Sequence, residues 1–266
     1  MEKYLLGSRN AAVALTLLAI SMPALASDDN PIATDRPDFV ESSNVVGKGR
    51  LQVETSVALD RSAGSGGRES VLSTPTLLRF GVSENVELRV ETDGAMRQRT
   101  RTNGSTSSAD FGYADLSVGM KWHAMDARAH LPSVGVLLHA DLSTGSSTFR
   151  EEGTRPTMRM VAKWELPDDM SVGLMPGIGY TRQDGGKTFG ILGLVIGKAW
   201  NQQLRSFVEV SSPYLARSLH GGSEASLTLG AAYLLGKNLQ IDTALSHGLN
   251  SRTADLSLTV GLSFKL

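Results

Sequence analysis

The chain has 266 residues, 26 of them basic and 27 acidic, a formal net charge of −1 and no cysteine. A balance so close to neutral offers no electrostatic grip on nucleic acid, and a chain without cysteine has neither a disulfide framework nor thiolate metal sites. No stretch after the first residues is long and apolar enough for a membrane helix, so a route into a membrane would have to use strands.

The chain opens with a leader. Lys3 and Arg9 supply a charged start, Ala11–Ile20 an apolar run too short to span a bilayer, and Ala24-Leu25-Ala26 a small-residue cleavage site. Residues 1–26 therefore read as a secretory signal peptide. Residues 27–49 follow as a polar, turn-prone segment in which Asp35, Arg36, Asp38 and Glu41 lie close together. We expect this segment to fold back into the mouth of the structure and pair with charges there, as a plug. The alternative is a leader that only carries the chain to the first strand.

Residues 50–266 break into twelve segments of alternating apolar and polar residues: 50–60, 70–81, 85–97, 110–123, 132–143, 154–166, 169–182, 187–199, 202–213, 223–235, 238–247 and 254–266. In the last, Leu256, Leu258, Val260, Leu262 and Phe264 share one face, with Asp255, Ser257, Thr259 and Lys265 on the other. In the seventh, Met170, Val172, Leu174, Ile178 and Tyr180 oppose Ser171, Gly173, Gly177, Gly179 and Thr181. Side chains two apart share a face of a strand, so these are two-sided strands. Connections after even segments are mostly tight, as at Val82-Ser83-Glu84, Pro167-Asp168 and Gly236-Lys237, with Ala124–Leu131 as the exception. Those after odd segments are mostly longer and polar, as at Arg61–Glu69, Gln98–Ala109, Thr144–Gly153 and Tyr214–Gly222.

Phe80, Trp122, Trp164, Trp200, Tyr233 and Phe264 each sit near the end of an even segment, so an up-and-down path brings all six to one edge. A ring of aromatics at one level is the girdle of a barrel at a membrane–water interface. Phe111, Tyr113, Tyr180, Phe189 and Tyr214 would form a sparser girdle at the opposite edge, and Lys198 lies close enough to its own edge to snorkel. The expected fold is all-β, a single twelve-stranded antiparallel transmembrane barrel in a bacterial outer membrane, with both termini periplasmic. A soluble cup with its apolar face turned inward is the alternative, and it explains neither the aromatic register nor the loop asymmetry.

With the apolar phase outward, the inner wall receives Glu54, Glu87, Arg89, Glu91, Asp115, Lys121, His139, Asp141, Arg159, Lys163, Arg205, Glu209 and Asp242. Such charges either pair across the barrel or line a passage for solute. Twelve strands fall between the filled eight-stranded barrel and the open sixteen-stranded porin, so the lumen should be narrow. None of the five histidines stands in a metal-binding motif, and Gly193–Lys198 lacks the spacing of a phosphate loop, so no metal or cofactor is implied. Some outer-membrane lipid hydrolases are also twelve-stranded, and Ser246-His247 supplies the residue types. No histidine is followed at the second position by serine, however, and we read the chain as no enzyme.

Thr34-Asp35-Arg36-Pro37-Asp38-Phe39-Val40-Glu41-Ser42-Ser43, with Leu245–Asn250 and Gly261–Phe264 at the far end, resembles the outer-membrane transporters named for the MetA pathway of phenol degradation. The resemblance spans essentially the whole chain after the leader. It implies a barrel that passes small solutes, aromatic or otherwise hydrophobic, by passive diffusion. A closed barrel that works through its surface loops is the competing expectation. The implied partners are outer-membrane lipid and the barrel-insertion machinery, which reads the last strand. This chain departs from the family's terminal Phe, ending in Leu266 with Phe264 two positions earlier.

Overall fold

The computed structural model describes residues 31–64, 66–102, 107–182, 185–215 and 223–266. The expected leader lies outside the described residues. The strands are β1 (Leu51–Gly64), β2 (Gly67–Ser73), β3 (Thr76–Gly81), β4 (Val86–Thr92), β5 (Ala95–Thr102), β6 (Ser107–Tyr113), β7 (Leu116–Met125) and β8 (Ser133–Leu142). They continue with β9 (Arg155–Leu166), β10 (Met170–Thr181), β11 (Lys187–Ala199), β12 (Leu204–Ser212), β13 (Ser226–Gly236), β14 (Leu239–Gly248) and β15 (Leu256–Lys265). All pairings are antiparallel, and β15 closes on β1 from Gln52↔Lys265 to Arg61↔Leu256.

Three of the twelve spans are interrupted: β2 with β3, β4 with β5, and β6 with β7 each form one span. The breaks fall side by side at Thr74-Pro75, Asp93-Gly94 and Ala114-Asp115. Pro75 has no N–H to give the ladder, and Gly94 turns through a φ of 67°. Hydrogen bonds still cross the line, from Thr74 N to Asp93 O (2.9 Å) and from Ala114 N to Gly94 O (2.9 Å). Beyond it β2, β5 and β6 continue the upper part of β1 as a flap. Two expected loops are thereby corrected. Most of Arg61–Glu69 and of Gln98–Ala109 is strand, because the alternation runs on through Arg97-Gln98-Arg99-Thr100-Arg101.

The barrel is inverted relative to a soluble protein. Its fully buried large side chains include Arg79, Arg89, Lys121, Gln52, Glu54, Glu87 and Glu209, while Leu88, Val118, Leu138, Met158, Ile196 and Leu229 face outward and exposed. An apolar outer belt around a polar interior excludes the soluble cup, whose apolar face would be the buried one. The six aromatics stand at the edge with the shorter turns, paired as Leu51↔Phe80, Val86↔Trp122, Val172↔Trp164, Leu204↔Tyr233 and Leu239↔Phe264. Trp200 donates from its indole to Ser206 Oγ at 2.9 Å. Lys198 reaches over the Trp200 ring (5.9 Å to its centroid) and donates to Asp168 O, the snorkelling geometry. Asp168 and Asp169 have φ of 60° and 54°, the primed backbone that lets the β9–β10 turn match strand twist.

The expected second girdle is only partly correct. Phe111, Tyr113 and Tyr180 face outward and exposed, but Phe189 is buried inside, packed at a tilt against Tyr214 with ring centroids 4.7 Å apart. The hole it fills lies opposite Gly179, where a Cβ would stand 2.2 Å from the Phe189 ring. Phe189 shares its phase with Ile191 and Val195, which are also buried. Its position near a strand end suggested a girdle, but its phase is inward.

Candidate functional site

The barrel does not enclose an open lumen. Residues 32–46 enter beside the β13–β14 turn, where Ile32 N donates to Lys237 O at 2.7 Å, and loop through the interior before β1 begins. The segment has no strand of its own. Wall side chains bond its N–H groups at Asp35, Arg36, Phe39, Val40 and Val46 and its carbonyls at Ala33, Arg36, Ser42, Ser43 and Asn44, as buried peptide groups require partners.

One half of the wall is charged. Glu54 accepts from Asp35 N (2.9 Å) and Arg36 N (3.0 Å), and Glu87 accepts from Val46 N at 2.9 Å. Asp35 receives Lys121 Nζ at 2.6 Å and Arg89 Nη1 at 2.6 Å. Glu41 stands 2.8 Å from Arg89 and 2.9 Å from Arg159. Arg79 lies at the centre, bonding Glu54 at 2.8 Å, Glu87 at 2.8 Å, Ala33 O at 2.9 Å and Asn44 O at 2.9 Å. Burial would raise the Glu41 carboxyl, but the guanidinium groups of Arg89 and Arg159 outweigh it and hold the pKa at about 2. Burial likewise opposes ionised Asp35, and Arg79, Lys121 and Arg89 together keep it well below the usual carboxylate range.

The other half is apolar. Leu137, Val161, Met175, Val195, Phe207 and Ala244 form a buried cluster around Val40, with Phe39 packed against it. Gly193 on β11 makes the approach possible, since a Cβ there would lie 2.5 Å from Val40 Cγ2. One carboxylate interrupts this wall, as Glu209 accepts from Val40 N at 2.7 Å and from Phe39 N at 3.0 Å. Arg205 beside it pairs with Asp38 at 3.1 Å, and Arg36 approaches Asp242 at 3.6 Å. Burial dominates at Asp38 and pushes its carboxyl upward despite Arg205.

The segment divides the interior in two. On the turn side is a cavity of about 500 Å³, reached by Lys163, Ser133, Asn201 and Gln203. On the loop side is one of about 740 Å³, bordered by Phe39, Leu77, Phe149, Tyr214, Glu91, Asp141 and Arg159. Asp38 and Glu41 border both cavities, so the segment itself is the partition.

The thirteen inner-wall candidates thus have different surroundings. Glu54, Glu87, Arg89, Lys121, Glu209, Arg205, Asp242 and Arg159 contact the segment. Lys163 reaches the turn-side cavity and pairs with Glu165 at 2.8 Å. Glu91 and Asp141 border the loop-side cavity, and His139 touches Glu91 (3.5 Å) and the Arg159 guanidinium. Asp115 instead organises a loop, accepting from Thr144 N (3.0 Å), Gly145 N (2.8 Å) and Glu151 N (3.0 Å). Sequence reasoning missed Arg79. The signal was present, because an outward Phe80 puts Arg79 on the inner phase. Ser246 and His247 lie on opposite faces of β14. Ser246 bonds Thr228 at 2.8 Å and His247 is exposed, so they make no nucleophile–base pair.

Residues 34–266 match the family described as "Putative MetA-pathway of phenol degradation". No curated protein matches the chain significantly. Among solved structures, an outer-membrane channel from Pseudomonas putida F1 superposes with a TM-score of 0.62 at 10% identity, covering 85% of this chain and 98% of that one. The β domain of the Bordetella autotransporter BrkA gives 0.51 at 12% identity, covering 82% and 100%. The porin NanC gives 0.50 at 14%, covering 81% and 100%. At these identities the likeness is one of fold: the chain is built as an outer-membrane barrel.

Proposed function

The chain belongs to the family of the MetA pathway of phenol degradation, and from that membership we propose that its barrel is an outer-membrane channel for passive passage of small solutes, held shut here by residues 32–46. Both termini lie on the periplasmic side in this reading, which is supported by the short-turn rim carrying the aromatic girdle and the C-terminal strand end. The observation that carries the proposal is the partition. A segment held to the wall by noncovalent contacts separates two cavities that would otherwise be one lumen, and side chains rather than a continuous sheet hold it. The family's pathway and the Phe39, Leu77, Phe149 and Tyr214 lining of the loop-side cavity favour aromatic or other apolar solutes.

The mechanism is displacement of the segment followed by diffusion. No reaction is assigned to any inner residue. With the segment seated, Arg79, Arg89, Lys121 and Arg159 are balanced by Asp35, Glu41, Glu54 and Glu87. Withdrawal removes Asp35 and Glu41, leaving those four cations opposite Glu54, Glu87 and the half-buried Glu91. Arg205 and Lys163 on the same wall are offset by Glu209, Asp242 and Asp141, so the emptied passage keeps both signs and has no strong ion preference.

Planar-bilayer recording of the full chain and of a variant lacking Ser27–Val46 tests this. Discrete and larger conductance is expected from the variant. Unchanged conductance would refute the plug. Silence from both, in samples that keep a heat-dependent gel mobility shift, would favour the closed barrel acting through its loops.

A further inference from the structure

The flap carries a feature that the channel reading does not use. Arg97, Arg99 and Arg101 alternate along β5 and so share one face. Register places Arg97 opposite Leu72, Arg99 opposite Ser70 and Arg101 opposite Arg68, and Arg61 of β1 opposite Ser70 from the other side. Directly paired residues project to the same face. Leu72 is exposed on the outer face while Ser73 is buried on the inner one, so all five arginines point away from the barrel axis. All five are exposed. The flap's carboxylates, Asp60, Glu69 and Asp110, belong to the opposite phase, where Glu69 accepts from Gln98 at 2.8 Å. Among the described residues no acidic group pairs with any of the five arginines.

Two like charges directly opposed on a ladder destabilise it unless an anion lies between them, and Arg68↔Arg101 is such a pair. The height of the cluster is set by β15, since Leu256 of the apolar belt registers with Arg61. Outward from that level run the arginines. Beside and below them are Leu72, Phe111 and Tyr113, the last two in edge contact at 6.1 Å. The surface is thus cationic where headgroups lie and apolar where acyl chains begin.

We propose that this outer face of β1, β2, β5 and β6 binds the phosphorylated, acylated glycolipid of the outer leaflet. Its phosphates sit among the five guanidinium groups and its chains lie on Leu72, Phe111 and Tyr113. Arginine suits the task because its planar fork holds phosphate through paired hydrogen bonds. The assignment rests on the proposed orientation, in which the flap is on the cell surface.

Native mass spectrometry of the detergent-solubilised full chain with bisphosphorylated lipid A tests it. R97Q/R99Q/R101Q should weaken binding roughly tenfold or more, as expected for several lost cation–lipid contacts. Arg128→Gln, a charge loss on the turn side, should leave binding unchanged. Arg68→Gln should weaken lipid A binding yet raise the lipid-free melting temperature, which a purely structural arginine would not do. Binding by R97Q/R99Q/R101Q equal to that of the parent chain would overturn the proposal. So would equal affinity for dephosphorylated lipid A, or full competition by inorganic phosphate, which would mark a phosphate site indifferent to lipid. The chain has no cysteine, so Ser108→Cys gives a single label site on the flap. Labelling of intact cells by an impermeant maleimide, combined with unaltered lipid A binding in the arginine variants, would sink the lipid site alone. Absence of that label, with labelling of Asn201→Cys instead, would sink the orientation.

Discussion

The two halves of the inner wall hold the same short segment by opposite means. On the β1–β3–β4–β7–β9 side, buried ions meet Asp35 and Glu41. Around Val40 and Phe39, methyl and aromatic groups from β8 to β12 and β14 close instead. Apolar packing tolerates small slips, whereas a buried charge removed from its partner keeps its full desolvation penalty. The charged half therefore fixes where the segment stops, and the apolar half supplies non-directional attraction. Seating in one position needs both, since apolar contacts alone would accept many registers.

The largest expected effect comes from the charged half. Asp35→Asn removes one carboxylate from Arg79, Arg89 and Lys121 at once, leaving buried cations short of a partner. Breaking a buried pair from one side costs about 3–5 kcal/mol. Most of that should fall on the seated state, so single-channel records should change from mostly closed to mostly open. Chymotrypsin should then cut after Phe39 in folded barrels, a bond packed against the buried cluster while the segment is seated.

The apolar half should respond less. Gly193→Ala puts a methyl group 2.5 Å from Val40 Cγ2, so the segment or β11 must shift. Overpacking of this kind costs about 1–3 kcal/mol. The expected outcome is a higher open fraction with no change in ion preference, because no charge has moved. A change in selectivity would show that the two halves are not separable.

How much of this was legible in the sequence follows the same division. Barrel, strand phase and girdle were readable because lipid imposes a two-residue period and an aromatic rim at fixed depth. The charged wall was readable from the same phase, Arg79 included, because it alternates with the outward Phe80. The apolar wall was not. Met175, Val195 and Phe207 have no reason to face inward until Val40 is there to meet them. That contact joins residues far apart in sequence, and no local pattern encodes it. Phe189 was misplaced for a related reason, since its pocket is opened by Gly179 on the neighbouring strand. The flap was hidden because polar, arginine-rich strand resembles loop when apolarity is the guide.

The smallest effect should come from Asp38, and it sharpens the comparison most. Asp38 is paired with Arg205 as Asp35 is with Lys121, yet burial pushes its carboxyl up while Asp35 and Glu41 are held down. A lowered carboxyl favours the seated state above its free value and loses that contribution as pH falls through its seated one. For Glu41 the window runs from about 4.5 down to about 2. A raised carboxyl acts in reverse, so acidification through the seated value for Asp38 favours seating. Asp38→Asn should thus change the open fraction at neutral pH by less than about 1 kcal/mol equivalent, because the Arg205 guanidinium it pairs with keeps contact with water. Glu41→Gln should open the channel at neutral pH and flatten the acid-induced rise in conductance expected of the parent chain toward pH 2. If Asp38→Asn opens the channel as far as Asp35→Asn, then ion pairing on both sides, rather than the division of labour between the walls, holds the plug.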